Sequence, residues 1–460
     1  MRILLISPRL EYPVTAPGWE ARPAWLNLPQ MSLLILKALS PEKHQVTTVE
    51  EEREAIPWSG TWDLVGITVM TATAPRAYKL AKIFRATGAR VILGGIHPSV
   101  LPEEARQYAD AVLVGEAESL WGQVLDDAER HQLKPYYHHD QERPEVLEIP
   151  LVHYEQQDKP RGPVLCPVIT SRGCPFRCEF CSVSQIYGSR VRNVPISRVL
   201  AQIEPVRDNY VAFLDDNLTT SREYALELFS ALSKLRVKFI AQVPLRFILD
   251  EDLFHRAVAA GLKGMLVGFE SIAAGSRKHL KKAVSLADTG LAIRRARAAG
   301  VMLHGSFIFG LDEHDQTIFS QTLDFIMEHQ IPSISAYVLT PYPGTVVFQR
   351  LASAGRLLHR HWAFYDHISP VFHPLRLSLE ELAQGYLQFR TALYSLRGIA
   401  RRFLAGMAVS TLAYLQLNLA FRQTTLGLKE HYQAYFRWLE QAQPAFPEET
   451  SMAAFGHLRQ

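Results

Sequence analysis

The chain has 460 residues, of which 48% are hydrophobic, and its 49 basic and 46 acidic side chains leave a net charge of +3. This length fits two or three domains, and the apolar content can fill their cores, so an intrinsically disordered protein is excluded. The balanced charge, without a long basic run, argues against a nucleic-acid partner.

Residues 1–135 predict a doubly wound αβ domain. Short apolar runs, the first of them Ile3 to Ser7, alternate with amphipathic segments, which is typical of a parallel sheet covered by helices. The first run is too short for a signal peptide, and no run approaches 18 uninterrupted apolar residues. We therefore expect a cytoplasmic protein without a transmembrane segment, at most peripheral to a membrane.

The predicted carboxyl ends of these strands carry Thr71, Gly94-Gly95-Ile96-His97 and Gly115-Glu116. Parallel sheets of this kind bind ligands at that edge. Glycine there permits the close approach of a large ligand, but it also serves ordinary turns. The pattern alone leaves both interpretations open.

Residues 136–162 are polar and rich in turn formers, and we interpret them as a linker. The neighbouring His138 and His139 invite a metal hypothesis. Adjacent side chains point apart in regular structure, however, so exposed linker histidines are the favoured interpretation.

Residues 163–375 predict a second domain built from six strand and helix units. The predicted strands run over residues 164–170, 211–214, 239–243, 264–268, 303–309 and 334–339. Six units fall short of the eight of a closed barrel, so we expect an open, partial (β/α)6 barrel. Residues 376–460 predict a helical carboxyl-terminal region.

Cys174, Cys178 and Cys181 lie within eight residues, directly after the first predicted barrel strand. Thiolates are the usual ligands of iron-sulfur clusters, and three of them on a four-iron cluster leave one iron open. Zinc would need a fourth ligand such as histidine, which this loop lacks, and a chance grouping is the remaining alternative. Cys166 lies inside a predicted strand and is interpreted as a core residue, which excludes a second cluster bound by cysteines.

The loop from Gly173 to Cys181, on a partial barrel, resembles the signature Cys-x3-Cys-x-aromatic-Cys of the radical S-adenosylmethionine (SAM) superfamily. The resemblance implies a [4Fe-4S] cluster, SAM on its open iron and a 5′-deoxyadenosyl radical. It also implies an electron donor such as flavodoxin or ferredoxin.

Carried over by position, the resemblance places Phe180 against the adenine of SAM. It assigns other parts of SAM to Asp216, Gln242, Glu270 and Gly310 at the strand ends. Acids at strand ends also cap the helices that follow, so each of these assignments has a structural alternative.

The amino-terminal domain extends the resemblance to cobalamin-binding radical SAM enzymes, the group with the anaerobic magnesium-protoporphyrin ester cyclase and the hopanoid methylases. The segment from Thr340 to Thr345 is also similar to this group. The implied contacts with cobalamin come from strand-end residues of the first domain, namely Thr71, Gly94, Gly95, His97, Gly115 and Glu116.

One departure concerns the motif Asp-x-His-x-x-Gly, which supplies an axial histidine in many cobalamin proteins. After the first strand this chain reads Ser7-Pro8-Arg9-Leu10-Glu11-Tyr12 instead. Cobalamin is then held without that histidine, or the domain has lost it. His97 is the substitute ligand to consider, although hydrogen bonding to the corrin or a turn suits its position equally well.

The resemblance implies methylation of an unactivated carbon of a small, lipid-like or tetrapyrrole molecule as the leading function. A radical cyclase, oxidase or rearrangement enzyme without methyl transfer is the alternative. An iron-sulfur or corrinoid-binding protein without turnover is the alternative from another class. The apolar stretch from Phe403 to Phe421 is expected to pack on its own domain, with a lid for the substrate or a membrane contact as the other interpretations.

Overall fold

The computed structural model describes residues 1–14, 28–139, 146, 149–152, 165–279, 284–404 and 411–442. Residues in the predicted linker before Leu165 and at the end of the carboxyl-terminal region therefore lie mostly outside the described part.

The amino-terminal domain is a parallel sheet with helices on both faces. In the described residues the strand order is β2-β1-β3-β4-β5-β6. The strands are β1 (Arg2–Ser7), β2 (Gln45–Glu50), β3 (Leu64–Thr68), β4 (Arg90–Gly94), β5 (Ala111–Leu113) and β6 (Tyr136–Tyr137). The helices are α1 (Met31–Leu39), α2 (Ala74–Ala86), α3 (Ile96–Val100), α4 (Pro102–Arg106) and α5 (Trp121–Glu129).

Strand β1 shows why the sheet is covered on both faces. Leu4 and Ile6 belong to one hydrophobic cluster, whereas Ile3 and Leu5 belong to another. Successive side chains of a strand point to opposite faces, so a continuous apolar run needs a helical layer on each side. The sheet also takes in Tyr136–Tyr137, which pairs with β5, so the structure extends the sheet two residues into the predicted linker.

The second domain is the expected open barrel. Its parallel strand order is β14-β13-β12-β11-β10-β7, with β7 and β14 as edges. Its strands are β7 (Leu165–Val168), β10 (Tyr210–Phe213), β11 (Lys238–Val243), β12 (Leu262–Glu270), β13 (Met302–Phe309) and β14 (Ser333–Val338), and a small antiparallel pair joins β8 (Ser171–Arg172) to β9 (Arg192–Asn193). The helices are α6 (Val183–Ile186), α7 (Ile196–Ile203), α8 (Arg222–Leu235), α9 (Leu245–Leu249), α10 (Glu251–Ala259), α11 (Ala274–His279), α12 (Leu286–Ala298), α13 (Thr317–Glu328) and α14 (Val346–Ser353).

The carboxyl-terminal region is helical, as predicted, and it covers the open edge of the barrel. Its helices are α15 (Leu379–Leu393), α16 (Leu396–Leu404), α17 (Thr411–Leu426) and α18 (Leu428–Gln441). No helix in the described residues is long and apolar enough to cross a lipid bilayer. The apolar stretch divides between α16 and α17, and its Tyr414 is buried against the protein, in agreement with the packing interpretation.

Candidate functional site

The three cysteines lie on a loop that the β8–β9 pair holds in place. The first of them, Cys174, donates its backbone N–H to the Gly188 carbonyl at 3.1 Å. Gly173 has φ +92°, and a Cβ there would lie 2.2 Å from the Arg190 carbonyl oxygen. Only glycine fits this position, because the backbone is left-handed and another chain segment touches it.

Cys174, Cys178 and Cys181 line one cavity of about 220 Å³ at the carboxyl end of the barrel strands, which we call the cluster pocket. No disulfide joins the four cysteines, all of which are described. Burial raises the pKa of Cys181 to about 11, and Asp216 and the other two thiols add to the effect. A positively charged metal centre reverses this preference, since a coordinating thiol is deprotonated.

Within the described residues, no three His, Cys, Asp or Glu side chains are drawn together as ligands of a single metal ion. A four-iron cluster is larger than one ion, and each thiolate binds a different iron. The three thiols that line one cavity match the three protein ligands of a four-iron cluster with one open iron.

The strand ends bring three of the predicted SAM residues into the same pocket. Asp216, Gln242 and Glu270 line it together with Phe180. Gly310 does not: a Cβ at this position would lie 3.1 Å from the Leu382 side chain, among residues that pack on α15. Its assignment to SAM stays a prediction without support from this geometry.

Asp215 and Asp216 are neighbours with different surroundings. Asp215 is buried and accepts hydrogen bonds from the Thr170 hydroxyl at 2.8 Å and the Ser171 hydroxyl at 2.5 Å, so it holds the start of the cysteine loop. Asp216 faces the cluster pocket. Burial, followed by the charge of Asp215, raises the pKa of Asp216 to about 6.

Glu270 sits at a strained point of the backbone. Its φ is +60°, uncommon for a residue with a side chain, and it follows a shift in the β12–β13 register. Strain of this kind persists where the surrounding structure holds it, and it clusters at functional sites. Glu270 lines both the cluster pocket and a second cavity.

This second cavity, the barrel chamber, measures about 290 Å³ and lies against β12, β13 and β14. It shares Phe180, Gln242, Gly268 and Glu270 with the cluster pocket. Its other walls include Leu266, Ile308 and His304. Burial lowers the pKa of His304 to about 4, so this imidazole is neutral near pH 7.

The predicted cobalamin residues all lie at the carboxyl edge of the first sheet, but several of their side chains already have protein partners. His97 is fully buried, with Nδ1 at 3.4 Å from the Thr71 hydroxyl and Nε2 at 3.1 Å from the Tyr78 hydroxyl. Glu104 lies 3.3 Å from the same Nε2. As placed, His97 points into its own domain, and axial ligation would require these contacts to break.

The glycines at this edge could contact a ligand through their backbone atoms, in place of a side chain such as that of His97. Gly115 has φ +82°, and a Cβ there would meet open space, while its N–H donates to the Ser99 hydroxyl at 2.8 Å. Gly95 also has a positive φ, but a Cβ there would lie 2.8 Å from the Val69 nitrogen. Gly94 accepts a hydrogen bond from that same nitrogen. The edge therefore fits a large ligand that rests on backbone, while the His97 ring nitrogens are directed at Thr71 and Tyr78.

Two features of the site escaped the sequence interpretation. Arg246, in α9 just after β11, lines the cluster pocket and can bind a carboxylate; an arginine shortly after a strand end was the available signal. The side chain of Glu116, which stays a predicted cobalamin contact, binds Arg172 and Arg192 from the cysteine-loop pair. Nothing local in the sequence shows this contact, because its partners are 56 and 76 residues away.

Comparison with known families agrees with this geometry. The Radical SAM superfamily profile matches residues 168–326, and the B12 binding domain profile matches residues 52–125. Two curated relatives come from Chlorobaculum tepidum. Bacteriochlorophyllide d C-12(1)-methyltransferase is 28% identical over 81% of this chain and 84% of the relative. Bacteriochlorophyllide d C-8(2)-methyltransferase is 29% identical over 73% of this chain and 79% of the relative.

Solved structures share the fold. The radical SAM methyltransferase TsrM from Kitasatospora setae, with cobalamin and a [4Fe-4S] cluster bound, superposes with a TM-score of 0.67 at 15% identity, over 94% of this chain and 99% of that one. The cobalamin-dependent radical SAM enzyme OxsB gives a TM-score of 0.65 at 12% identity, over 99% and 82% of the two chains.

The open barrel with its three-cysteine loop defines a radical SAM enzyme, which confirms the resemblance read from the sequence. The chain carries a Radical SAM domain and a B12 binding domain, the two domains that cobalamin-dependent radical SAM enzymes combine. Its cofactors are accordingly a [4Fe-4S] cluster, SAM and cobalamin.

Proposed function

We propose that this enzyme transfers a methyl group to an unactivated carbon of a largely apolar molecule of the tetrapyrrole or lipid type. The barrel chamber carries the proposal, because it adjoins the cluster pocket and has no lysine or arginine among its lining residues. The methyltransferases of Chlorobaculum tepidum, named for a bacteriochlorophyllide, support the substrate class.

The size of the chamber limits what it can hold. At about 290 Å³ it lies at the lower end of the roughly 300–1,000 Å³ that small-molecule pockets span. A ring or an alkyl side group fits this space, while the remainder of a tetrapyrrole or lipid extends outside it. Leu266 and Ile308 supply apolar wall, and the Ser335 and Tyr337 hydroxyls can orient a polar group.

When bound, the cluster with SAM supplies a 5′-deoxyadenosyl radical for hydrogen abstraction, and cobalamin supplies the methyl group. The three cysteines would hold the cluster. Phe180 would contact the adenine, and Asp216 and Glu270 would accept hydrogen bonds from the ammonium group or the ribose hydroxyls. Arg246 would pair with the SAM carboxylate. An external donor such as flavodoxin or ferredoxin would reduce the cluster.

The test is anaerobic reconstitution with iron, sulfide and hydroxocobalamin, followed by reduction and incubation with SAM and bacteriochlorophyllide d or a hopanoid. We expect cluster absorbance, bound cobalamin, and both 5′-deoxyadenosine and S-adenosylhomocysteine as products. Cys178→Ala should abolish the cluster absorbance and both products. Cys166→Ala is the matched control, because Cys166 is buried within β7 and lines neither cavity.

Other outcomes separate the alternatives. Deoxyadenosine without S-adenosylhomocysteine or a methylated product would contradict methyl transfer and favour a cyclase, oxidase or rearrangement enzyme. No cleavage of SAM by the reduced, cluster-loaded protein would favour a binding protein. Full cluster absorbance in Cys178→Ala would overturn the cluster assignment.

A further inference from the structure

Two glutamates of the first domain form ion pairs with two arginines of the second domain, in the buried interface between the domains. Glu116 and Glu118 follow β5 of the first domain, and Arg172 and Arg192 lie on β8 and β9 beside the cysteine loop. Arg172 binds Glu116 at 2.7 Å and Glu118 at 2.5 Å, and Arg192 binds Glu116 at 2.5 Å. All four side chains are at most 10% exposed, so this set of two cations and two anions is balanced inside the protein. We call it the interface quartet.

The quartet is also fixed on the barrel side. The Arg172 guanidinium lies 5.5 Å from the centre of the Tyr187 ring, and Arg192 donates to the Tyr187 carbonyl at 3.1 Å. Burial on its own would raise the pKa of Glu118, but the charge and hydrogen bond of Arg172, with a backbone hydrogen bond and the charge of Arg192, hold this pKa below its usual range. The carboxylate is therefore ionised at neutral pH, and the contact is a true ion pair.

Only one residue, Gly173, separates Arg172 of the quartet from the first cluster ligand, Cys174. Arg172 is followed by Gly173, which is in contact with the Arg190 carbonyl, and then by Cys174, which is hydrogen bonded to Gly188. On the other side, Glu116 directly follows Gly115, whose backbone faces open space at the predicted cobalamin edge. The quartet therefore includes residues that are adjacent in sequence to both proposed cofactor sites.

We propose that Arg172 is a positioning residue that links the cobalamin site to the cluster site. Arg172 holds the loop after β5 against the cysteine loop. Because of this contact, a cofactor bound at one site stabilises the loop conformation that the other site needs for binding. The inference rests on the proposed use of both cofactors, and it assigns Glu116 and Glu118 to the interface in place of contact with the corrin.

A purely structural role is the alternative. Buried ion pairs often contribute little net stability compared with apolar residues of the same volume, and their best attested use is to fix one arrangement among several. A structural role predicts loss of global stability. Linkage predicts that each site still binds its cofactor, but that one cofactor no longer changes the affinity for the other. The effect is reciprocal, because the two cofactors change each other's affinity by the same factor.

The experiment measures hydroxocobalamin affinity with and without the reconstituted cluster in wild type, Arg172→Gln, Glu118→Gln and the double variant. In wild type the cluster should tighten cobalamin binding by about tenfold, within the roughly 5–150-fold range typical of coupled sites. In Arg172→Gln this ratio should fall towards one, and Arg172→Lys, which keeps the charge, should restore part of it. Arg207→Gln, which removes an exposed pair with Glu204, is the control and should keep the wild-type ratio.

A second readout needs no cofactor. Hydrogen exchange of the apoprotein should be faster around residues 173–188 in Arg172→Gln and Glu118→Gln, while protection of β11 and β12 stays as in wild type. Glu118→Gln keeps the proposal testable if Arg172→Gln does not fold, because Glu116 still pairs with both arginines in that variant. The double variant should be no worse than Arg172→Gln, since both remove the same contact.

An unchanged affinity ratio in the Gln variants, or weaker cobalamin binding with and without the cluster together with uniform loss of protection, would overturn the linkage. This result differs from failure of the proposed function. If wild type binds cobalamin and cleaves SAM but methylates nothing, methyl transfer is wrong and the linkage still stands on its own measurement.

Discussion

Adjacent residues at one strand end have separate tasks in this protein. Asp215 ties down the start of the cysteine loop, whereas Asp216 faces the cluster pocket. The sequence predicts that an acid lies here, because strand ends of a parallel barrel meet at one edge. It cannot show which of two neighbouring acids turns inward, since that depends on hydrogen bonds from Thr170 and Ser171 after folding.

The raised pKa of Asp216 predicts a pH-dependent stability. Its pKa is about 6 in the folded protein against an ordinary value of 3.8, so folding favours the protonated form. The stabilising contribution is full below about pH 4 and is lost as the pH rises through about 6. Asp216→Asn should therefore raise the free energy of unfolding of the apoprotein by up to about 3 kcal/mol near pH 8 and leave it almost unchanged near pH 4.

Urea unfolding across this pH range measures the effect. Asp252→Asn is a control of opposite sign, because the hydrogen bond from Arg256 lowers the pKa of Asp252. That variant should be slightly less stable than wild type at high pH, and the difference should fade as the pH falls. If Asp216→Asn shifted stability equally at every pH, the environment assigned to Asp216 would be incorrect.

The cysteine site and the interface quartet show what a sequence reveals at the scale of residues. The three cysteines are predictable because their chemistry is contained in eight consecutive residues. The partners of His97 and Glu116 are not, because they come from other elements or from the other domain. Sequence position placed both residues at the correct edge of the sheet and left the direction of their side chains undetermined.

At the scale of elements, the carboxyl-terminal helices cover the strand edge that the open barrel leaves unpaired. The edge strand β14 presents unpaired backbone groups, which natural proteins cover or protect. Tyr386 donates to the Ala336 carbonyl at 2.6 Å, Tyr394 to the Ile334 carbonyl at 2.5 Å, and Arg402 to the Pro332 carbonyl at 3.1 Å. These carbonyls alternate along the chain, so they belong to one side of the strand.

This cap makes Tyr394→Phe a specific test. The substitution keeps the buried ring but leaves the Ile334 carbonyl without the tyrosine hydroxyl. The free energy of unfolding should fall by about 1–3 kcal/mol, as expected for a buried polar group that loses its partner. Chemical denaturation measures the change, and hydrogen exchange should locate the faster opening in β14 and α15.

Tyr210→Phe is the matched control, because Tyr210 is partly exposed and its hydroxyl has no hydrogen bond within the described chain. It should be nearly neutral. Equal losses in the two variants would argue against the edge cap. The sequence predicted that this region is helical, but not which strand it covers, because amphipathic periodicity identifies an apolar face and not its partner.

At the scale of the whole molecule, the two predicted domains share a core. A buried cluster joins Leu4 and Ile67 of the first sheet to Phe364 and Val371, which follow α14 within the second predicted domain. Trp362 donates to Glu104 at 2.8 Å, and the Tyr12 hydroxyl donates to Asp366 at 2.7 Å. Both folds could be predicted separately from the sequence. The contacts that join them link residues hundreds of positions apart, which local patterns do not reveal.

Phe364 lies at the centre of this union. It is fully buried, and its ring centre is 5.8 Å from that of Tyr12, 4.7 Å from Tyr435 and 4.5 Å from Trp438. Phe364→Ala should lower the free energy of unfolding by about 3–5 kcal/mol, the usual range for a buried phenylalanine. Since the lost contacts join separate parts of the chain, the amino-terminal sheet should also unfold at a lower urea concentration than the barrel.

Hydrogen exchange at increasing urea, followed in β1 and in β11, shows whether Phe364→Ala separates the unfolding of the two domains or only lowers the overall stability. Wild type should lose protection in both strands together, as one cooperative unit. Phe254→Ala is the control, because Phe254 is equally buried but packs within the barrel core; it should not expose β1 before β11. Coincident loss in Phe364→Ala would mean that the domains are held together chiefly elsewhere, with the interface quartet as the next contact to examine.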